Sequence, residues 1–496
     1  MYLLGIDLGS SSIKIALVDQ HSNKVKQVVS HPEKEMEIMS PEPGWAEQDP
    51  EKWWSDFVEG TRKLLKKSQV KASEISGIGI SYQMHGLVLV DKNQKVLRPS
   101  IIWCDSRAIS LGEAAENSIG AEKCHLHLLN TPGNFTAAKL KWVKENEPDV
   151  FDKIDKIMLP GDFLAMKLNG KATTTISGLS EGMFWDFQQN QVADFLMEEM
   201  GFPQSIIPEI VPTFSDQGSI TEETAELLGL SKNVKVGYRA GDQPNNALSL
   251  GVINPGEIAA TGGTSGVVYG VQDQAVYDKL SRVNSFAHVN YNIDDPRIGV
   301  LLCINGTGIL YRWVKNLMAK DHESYTDLES QLQKAAPGSD GITILPFGNG
   351  AERMLRNKDV GAHILNLQFN RHAHPQLYRA AIEGIAFAFI YGMEVLKELG
   401  LDIKSLKVGN DNLFQSRTFG ETVSTLAGAP IEVINTTGAV GAARGAGFGI
   451  GIFGSLEEAV GSPEIVYSYQ PNKELKPALE LAYKRWKTDL LKFINN

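Results

Sequence analysis

The chain predicts a two-part α/β protein, and three observations carry that expectation. A Gly/Ser/Thr turn between two apolar runs occurs once in each half. At 496 residues the chain is too long for one ordinary core. Strands, helices and short turns alternate through both halves. The first turn lies in Gly5-Ile6-Asp7-Leu8-Gly9-Ser10-Ser11-Ser12-Ile13-Lys14, between the runs Tyr2 to Ile6 and Ile13 to Val18. The second is Ala260-Thr261-Gly262-Gly263-Thr264-Ser265-Gly266-Val267, between Glu257 to Ala260 and Val267 to Val271. Each reads as a β-hairpin whose turn offers backbone N–H groups and hydroxyls. Glycine permits close approach, and successive N–H groups form a nest for phosphate oxygens. Either hairpin alone is equally readable as a plain tight turn; the pair suggests one nucleotide gripped from two sides.

The remaining elements follow in order. Asp49-Pro50-Glu51 is a helix start: a capping acid, a proline and an acid in the first turn. Trp53, Trp54, Phe57, Val58, Thr61, Leu64 and Leu65 then fall at helical spacing. Ile75 to Ser81 reads as a buried strand, and Leu87 to Asp91 as another that ends at Lys92-Asn93. In the second half, strands are expected near Gly256 to Gly270, Val300 to Asn305 and Lys404 to Val408. A long apolar helix runs from about Pro375 to Leu399, with Ala381, Ile385, Ala388, Phe389 and Val395 roughly on one side. The small residues Gly438, Gly441, Ala442, Ala443, Gly445 and Gly447 predict a helix packed very closely on its neighbours. A last helix is expected from about Asn472 to Phe493. No low-complexity linker divides the chain, so the repeat sets the boundary, giving parts 1–246 and 247–496.

Composition narrows the function classes. The formal net charge is −11 and no dense basic stretch exists, which argues against nucleic acid or an anionic membrane surface as main partner. The N-terminus lacks the basic start of a signal peptide, Asp7 interrupts its short apolar run, and no apolar segment is long enough for a bilayer. Cys104, Cys124 and Cys303 are odd in number and far apart, offering neither a disulfide framework nor a zinc spacing. A cytoplasmic protein is expected.

Four segments carry candidate chemistry. In Ala240-Gly241-Asp242-Gln243-Pro244-Asn245-Asn246, Asp242 either caps the following helix or serves as a general base at the mouth of a cleft. Phosphoryl transfer asks of the protein little beyond positioning, charge neutralisation and a group to take the hydroxyl proton. Asp7, at a strand end before the first turn, is placed to hold Mg²⁺ directly or through water. Lys14 is either a point charge for a phosphate oxygen or a solvated strand lysine. Ser81-Tyr82-Gln83-Met84-His85-Gly86 follows a buried strand, where cleft residues of α/β domains emerge. Gln83 and His85 both donate and accept hydrogen bonds, as polyhydroxy recognition requires. Ile101-Ile102-Trp103-Cys104-Asp105-Ser106-Arg107 adds the flat apolar surface of Trp103 beside an acid and a base.

Taken together these pieces resemble the FGGY carbohydrate kinases of the actin-like and sugar-kinase superfamily. The resemblance spans Tyr2 to about Phe453. It rests on Gly5-Ile6-Asp7-Leu8-Gly9-Ser10-Ser11, Trp45-Ala46-Glu47-Gln48-Asp49-Pro50, Gln83-Met84-His85-Gly86, Gly241-Asp242, Gly263-Thr264-Ser265-Gly266 and Glu352-Arg353. Gln-Met-His-Gly is similar to the substrate loop of the family's xylulokinase branch. The resemblance implies two ribonuclease-H-like (actin/hexokinase-type) domains closing on a central cleft, the N-terminal one binding sugar and phosphate and the C-terminal one nucleotide. It also implies Asp242 as base and Asp7 on the metal and phosphates. Gln83, Met84, His85, Trp103 and Gln243 would face the sugar. Gly9, Ser10, Ser11, Lys14, Gly263, Thr264, Ser265, Gly409 and Asn412 would face ATP. ATP, Mg²⁺ and a small sugar are the implied ligands, and a homodimer is one expected assembly.

Three departures stand out. Val408-Gly409-Asn410-Asp411-Asn412 has two bulky residues where the family's adenosine motif carries paired glycines. Gln243 follows the base, as in glycerol kinases. Tyr82 stands where a small residue is common. The leading expectation is ATP-dependent phosphorylation of D-xylulose to D-xylulose 5-phosphate. The alternatives are a kinase for ribulose, gluconate or glycerol, an ATPase that phosphorylates nothing, and a pseudokinase sensor.

Overall fold

The computed structural model describes residues 1–320, 322–410 and 412–495. The first hairpin pairs β1 (Tyr2–Leu8) with β2 (Ile13–Asp19), and β3 (Val25–His31) extends it. Helix α1 (Pro50–Ser68) begins as its sequence dictates: the Asp49 side chain accepts from the Glu51 N–H, and Pro50 sets the first turn. Its buried face, with Trp53, Phe57 and Leu64, covers β2 and β3. The chain continues through β4 (Ile75–Tyr82), α2 (Thr136–Asn146), α3 (Ile176–Glu181) and β5 (Lys235–Gly241), and closes a five-stranded sheet of order β5-β4-β1-β2-β3. The pairs β1/β4 and β4/β5 are parallel and the others antiparallel.

After α4 (Asp242–Ser249) the pattern starts again. The second hairpin is β6 (Glu257–Gly262) with β7 (Gly266–Gln272), followed by β8 (Asn284–Ala287) and β9 (Ile298–Ile304). Helices α5 (Gly308–Met318), α6 (Tyr325–Leu332) and α7 (His374–Glu398) lead to β10 (Ser405–Gly409) and β11 (Ile431–Ile434). Helix α8 (Gly438–Gly449), β12 (Ile465–Tyr469) and α9 (Lys476–Ile494) complete the chain. The second sheet has the order β8-β9-β7-β6-β10-β11-β12. Within it β11-β10-β6-β7-β9 repeats the order and directions of the first sheet. The molecule is thus a duplicated, ribonuclease-H-like α/β fold, with hairpins at equivalent places in the two sheets.

Helix boundaries match the sequence pattern closely, with two differences. The last helix starts at Lys476, because the Asn472 side chain accepts from the N–H groups of Glu474 and Leu475 and so holds a turn ahead of it. Helix α7 is buried on nearly every side between Tyr378 and Leu396.

The small-residue helix α8 is packed closely, and its destination is the first sheet. A β-carbon on Gly5 would lie 1.7 Å from the Ala439 carbonyl oxygen, one on Gly79 1.9 Å from that of Ala442, and one on Gly237 2.5 Å from that of Ala446. Backbone therefore meets backbone across this contact, which only glycine allows. The hydrophobic core also crosses the midpoint of the chain. One continuous cluster joins residues between Met84 and Ile206 to the second half, while a separate one lies under α1. The loop Gln83–Gly86 leaves β4 where these meet. Among the described residues, no helix is long and apolar enough to cross a membrane.

Candidate active site

Asp7 and Asp242 come together. Asp7 is the penultimate residue of β1, and the Ser81 hydroxyl on neighbouring β4 donates to its Oδ1 at 2.7 Å. Lys14 stands directly opposite it in the β1/β2 ladder, exposed and on the same face. On its other side is the N-terminus of α8: a β-carbon on Gly438 would fall 2.6 Å from Asp7 Oδ2. Burial raises the Asp7 pKa, partly offset by Ser81 and Lys14. Asp242 is the first residue of α4, with Gly241, not Asp242, at the cap position. Burial and the neighbouring Asp7 charge push it up to about 7. Gln243 donates to it from both backbone and side chain. Two half-buried carboxylates, with one exposed lysine opposite Asp7, make a site that favours a hard cation or a proton.

The two turns differ in their support. Gly9 N–H donates to the Ser12 carbonyl, and Ser10 and Ser11 lie at the bend, Ser10 half-buried and Ser11 exposed. In the second turn Thr264 and Ser265 are exposed, and the carbonyls of Gly263 and Thr264 accept from the Thr307 hydroxyl and from Gly308 and Ile309 N–H. Glu352 holds that bracing loop by accepting from Asn305 N–H at 3.0 Å, and burial pushes its pKa up to about 7. Gly263 and Thr264 open on a cavity of about 350 Å³ lined also by Tyr311, Arg312, Tyr325, Glu329, Leu413 and Gln415. Gly409 ends β10 beside it, and Asn412 begins the short helical turn to Gln415. Asp411 lies outside the described residues, as does the side chain of Asn412.

The loop after β4 forms a wall between the halves. Met84 is buried against Gly241, where a β-carbon would come within 2.6 Å of its Cγ. His85 is half-buried, its ring 4.8 Å from that of Phe135 and 5.5 Å from Phe286 on β8 of the second sheet. Gln83 lies deeper. Its amide donates to Gln48 Oε1 at 2.9 Å, its Oε1 is buried without a partner, and Gln48 in turn donates to the Ser10 carbonyl. It ties the loop after β4 to the first turn. Trp103 is 53 % exposed. Four residues on, Arg107 is stacked 3.8 Å from the Trp45 ring and paired with Asp105 and Glu47.

Sequence reasoning missed Lys139, Glu181, Phe135 and Phe286 around His85, and Tyr311, Arg312, Tyr325 and Gln415 at the cavity. Lys139 lies in a run of consecutive buried residues, Thr136 to Leu140, at the start of α2, and carries no local signal. Arg353 was within reach, since Glu352-Arg353 was singled out; its guanidinium donates to Asn284 Oδ1 at 2.7 Å, at the edge of the same wall.

Most of the chain is similar to known proteins. Residues 2–249 match the N-terminal domain and residues 258–449 the C-terminal domain of the FGGY family of carbohydrate kinases. A xylulose kinase of Bacillus subtilis is 29% identical over 468 residues, 92% of this chain and 90% of that protein. The solved xylulose kinase of Rhodospirillum rubrum superposes with a TM-score of 0.90 at 24% identity over 100% of both chains. A gluconate kinase of Lactobacillus acidophilus superposes with a TM-score of 0.88 at 21% identity, covering 99% of this chain and 98% of that one. The shared fold therefore extends across kinases named for different acceptors.

Proposed function

The chain belongs to the FGGY family of carbohydrate kinases, and we propose that it transfers the γ-phosphoryl group of ATP to the terminal hydroxyl of a small ketose, D-xylulose, giving D-xylulose 5-phosphate. The meeting of Asp7 and Asp242 at the ends of β1 and β5, between the two turns, is the observation that carries this reading. The ketose lies against Met84, His85 and Trp103, with its terminal hydroxyl at Asp242. ATP lies across the turns, its base and ribose towards the cavity beside Tyr311 and Gln415. As the new O–P bond forms, the bond from the γ-phosphorus to its bridging oxygen breaks and ADP leaves. Asp242 takes the hydroxyl proton late in that process.

The donor set around Asp7 fits Mg²⁺: a half-buried carboxylate with one oxygen uncommitted to Ser81, next to a second acid and one residue before the end of β1. The ion supplies charge neutralisation on the phosphates. Gly9, Ser10, Ser11 and Lys14 on one side, and Gly263, Thr264 and Ser265 on the other, hold phosphate oxygens in line with the acceptor. We further take 1–246 and 247–496 as the sugar and nucleotide parts.

The xylulose kinase relative favours a ketose. Gln243, bonded to the base, favours the second reading, a polyol or sugar acid. Coupled ADP release measured across ketoses, polyols and aldonates decides between them. D-xylulose is expected to be the best acceptor; glycerol or an aldonate in that place overturns the ketose. ADP release unchanged by any acceptor overturns the transfer itself.

A further inference from the structure

We propose that Glu181 is a positioning residue that locks His85 in one tautomer, leaving its outer ring nitrogen able only to accept a hydrogen bond from a sugar hydroxyl. This rests on the reading of the Gln83–Gly86 loop as the sugar wall. His85 has a left-handed backbone, φ 62°, in a residue with a β-carbon. Such a conformation persists only when its surroundings hold it. Both of its peptide groups are pinned by buried ionisable side chains. Its N–H donates to Glu181 Oε2 at 3.1 Å, and its carbonyl accepts from Lys139 Nζ at 2.8 Å. Glu181 is 2 % exposed and Lys139 fully buried.

The same glutamate sets the ring. His85 Nδ1 lies 3.0 Å from the Glu181 main-chain carbonyl. A carbonyl oxygen can only accept, so Nδ1 carries the proton. Burial and the charges of Lys139 and Arg353 hold the imidazole neutral, with its pKa down at about 3. A neutral ring has one N–H, so Nε2 bears the lone pair. Among the described residues no hydrogen bond to Nε2 is found, and the side chain keeps 16 % of its surface exposed. A hydroxyl that donates satisfies it; a position without one leaves it unpaired.

Tyr82 belongs to the same device. Its hydroxyl donates to Glu181 Oε1 at 2.7 Å, fixing the carboxylate that holds His85. Its ring fits because residue 161 is glycine: a β-carbon there would lie 2.1 Å from the ring. The large residue at position 82 thus acts below the wall and leaves the sugar face unchanged.

Glu181→Met keeps length and loses both acceptor oxygens. Glu181→Gln keeps one acceptor for His85 N–H, and the Tyr82 hydroxyl can turn to accept from the new amide. The ¹⁵N-labelled apo protein is expected to show His85 protonated at Nδ1 and bare at Nε2. Glu181→Met keeps the main-chain carbonyl that takes the Nδ1 proton but removes Oε2, which holds the His85 N–H and lies 3.5 Å from Nδ1. With its backbone released the ring should leave that carbonyl, blurring the signature and raising the KM for the best acceptor about tenfold, with the KM for ATP unchanged. Glu181→Gln should restore both to near wild type, and Tyr82→Phe should give a smaller shift in the same direction. A wild-type spectrum with the proton on Nε2 overturns the proposal, as does a folded Glu181→Met with unchanged acceptor KM. If Glu181→Met does not fold, the wild-type spectrum and Tyr82→Phe decide. The tautomer is read without sugar, so a different best acceptor in the ADP-release panel would revise the substrate and leave this inference standing.

Discussion

The two hairpins share a ladder and a sheet position, yet they are built for different work. Counting back from the turn glycines Gly9 and Gly263, Asp7 corresponds to Thr261 and Gly5 to Ala259. The first turn has four residues, an acid before it and a lysine across from it. The second has three, with a hydroxyl in place of the acid and a neighbouring loop beneath it. The first hairpin rests on α8 through Gly5, and the second rests on Thr307 and Gly308. Duplication supplies two turns at equivalent places. Charged side chains are concentrated at one of them, and the other opens on a cavity of about 350 Å³.

That contrast can be broken in order of expected size. Asp242→Asn should lower sugar-dependent turnover by about 10² to 10⁴ while ATP still binds, if Asp242 is the base proposed above. A folded mutant with near-normal turnover would remove the base from between the hairpins. Asp7→Ala should cut turnover by at least about tenfold and displace the Mg²⁺ titration. Thr261→Ala, its counterpart, should leave that titration where it was. Equal effects of the two would erase the asymmetry.

The third test exchanges a residue between the copies. Gly5→Ala gives the first hairpin what the second carries at Ala259, and its β-carbon meets main chain at 1.7 Å. Urea unfolding should show a loss of about 1–3 kcal/mol; an unchanged midpoint would mean that α8 gives way freely. The smallest effect is expected from Thr264→Ala, a loss of one exposed hydroxyl. It should raise the KM for ATP about fivefold or less and leave the ketose KM alone. A larger shift for the ketose would assign the second turn to the wrong ligand.

Local signals in the chain were readable. Asp49-Pro50-Glu51 announces a helix start that the structure repeats atom for atom, and the two Gly/Ser/Thr turns declare the duplication. The small residues of α8 say that something packs closely, but not what. Its partners Gly5, Gly79 and Gly237 lie more than 200 residues away, and isolated glycines in strands have many meanings. Asp242 shows the same limit. A glycine before an aspartate fits a helix cap as well as a base, and the distinction appears only when Asp7 arrives beside it. Lys139 and Glu181 had no signal, because a buried charge is recognisable by its surroundings and not by its neighbours in sequence.

Helix α8 has a consequence for how this protein can be taken apart. A fragment ending near residue 250 would contain every strand of the first sheet, but not the helix that covers Gly5, Gly79 and Gly237. Without that helix the fragment would expose the glycine positions and the apolar side chains of Leu3, Ala16 and Val18 that pack with Ala439, Val440 and Ala443. The halves are therefore not interchangeable parts. A second half borrowed from a relative would bring its own version of residues 438–449, and that helix would have to match Gly5, Gly79 and Gly237 to dock as closely.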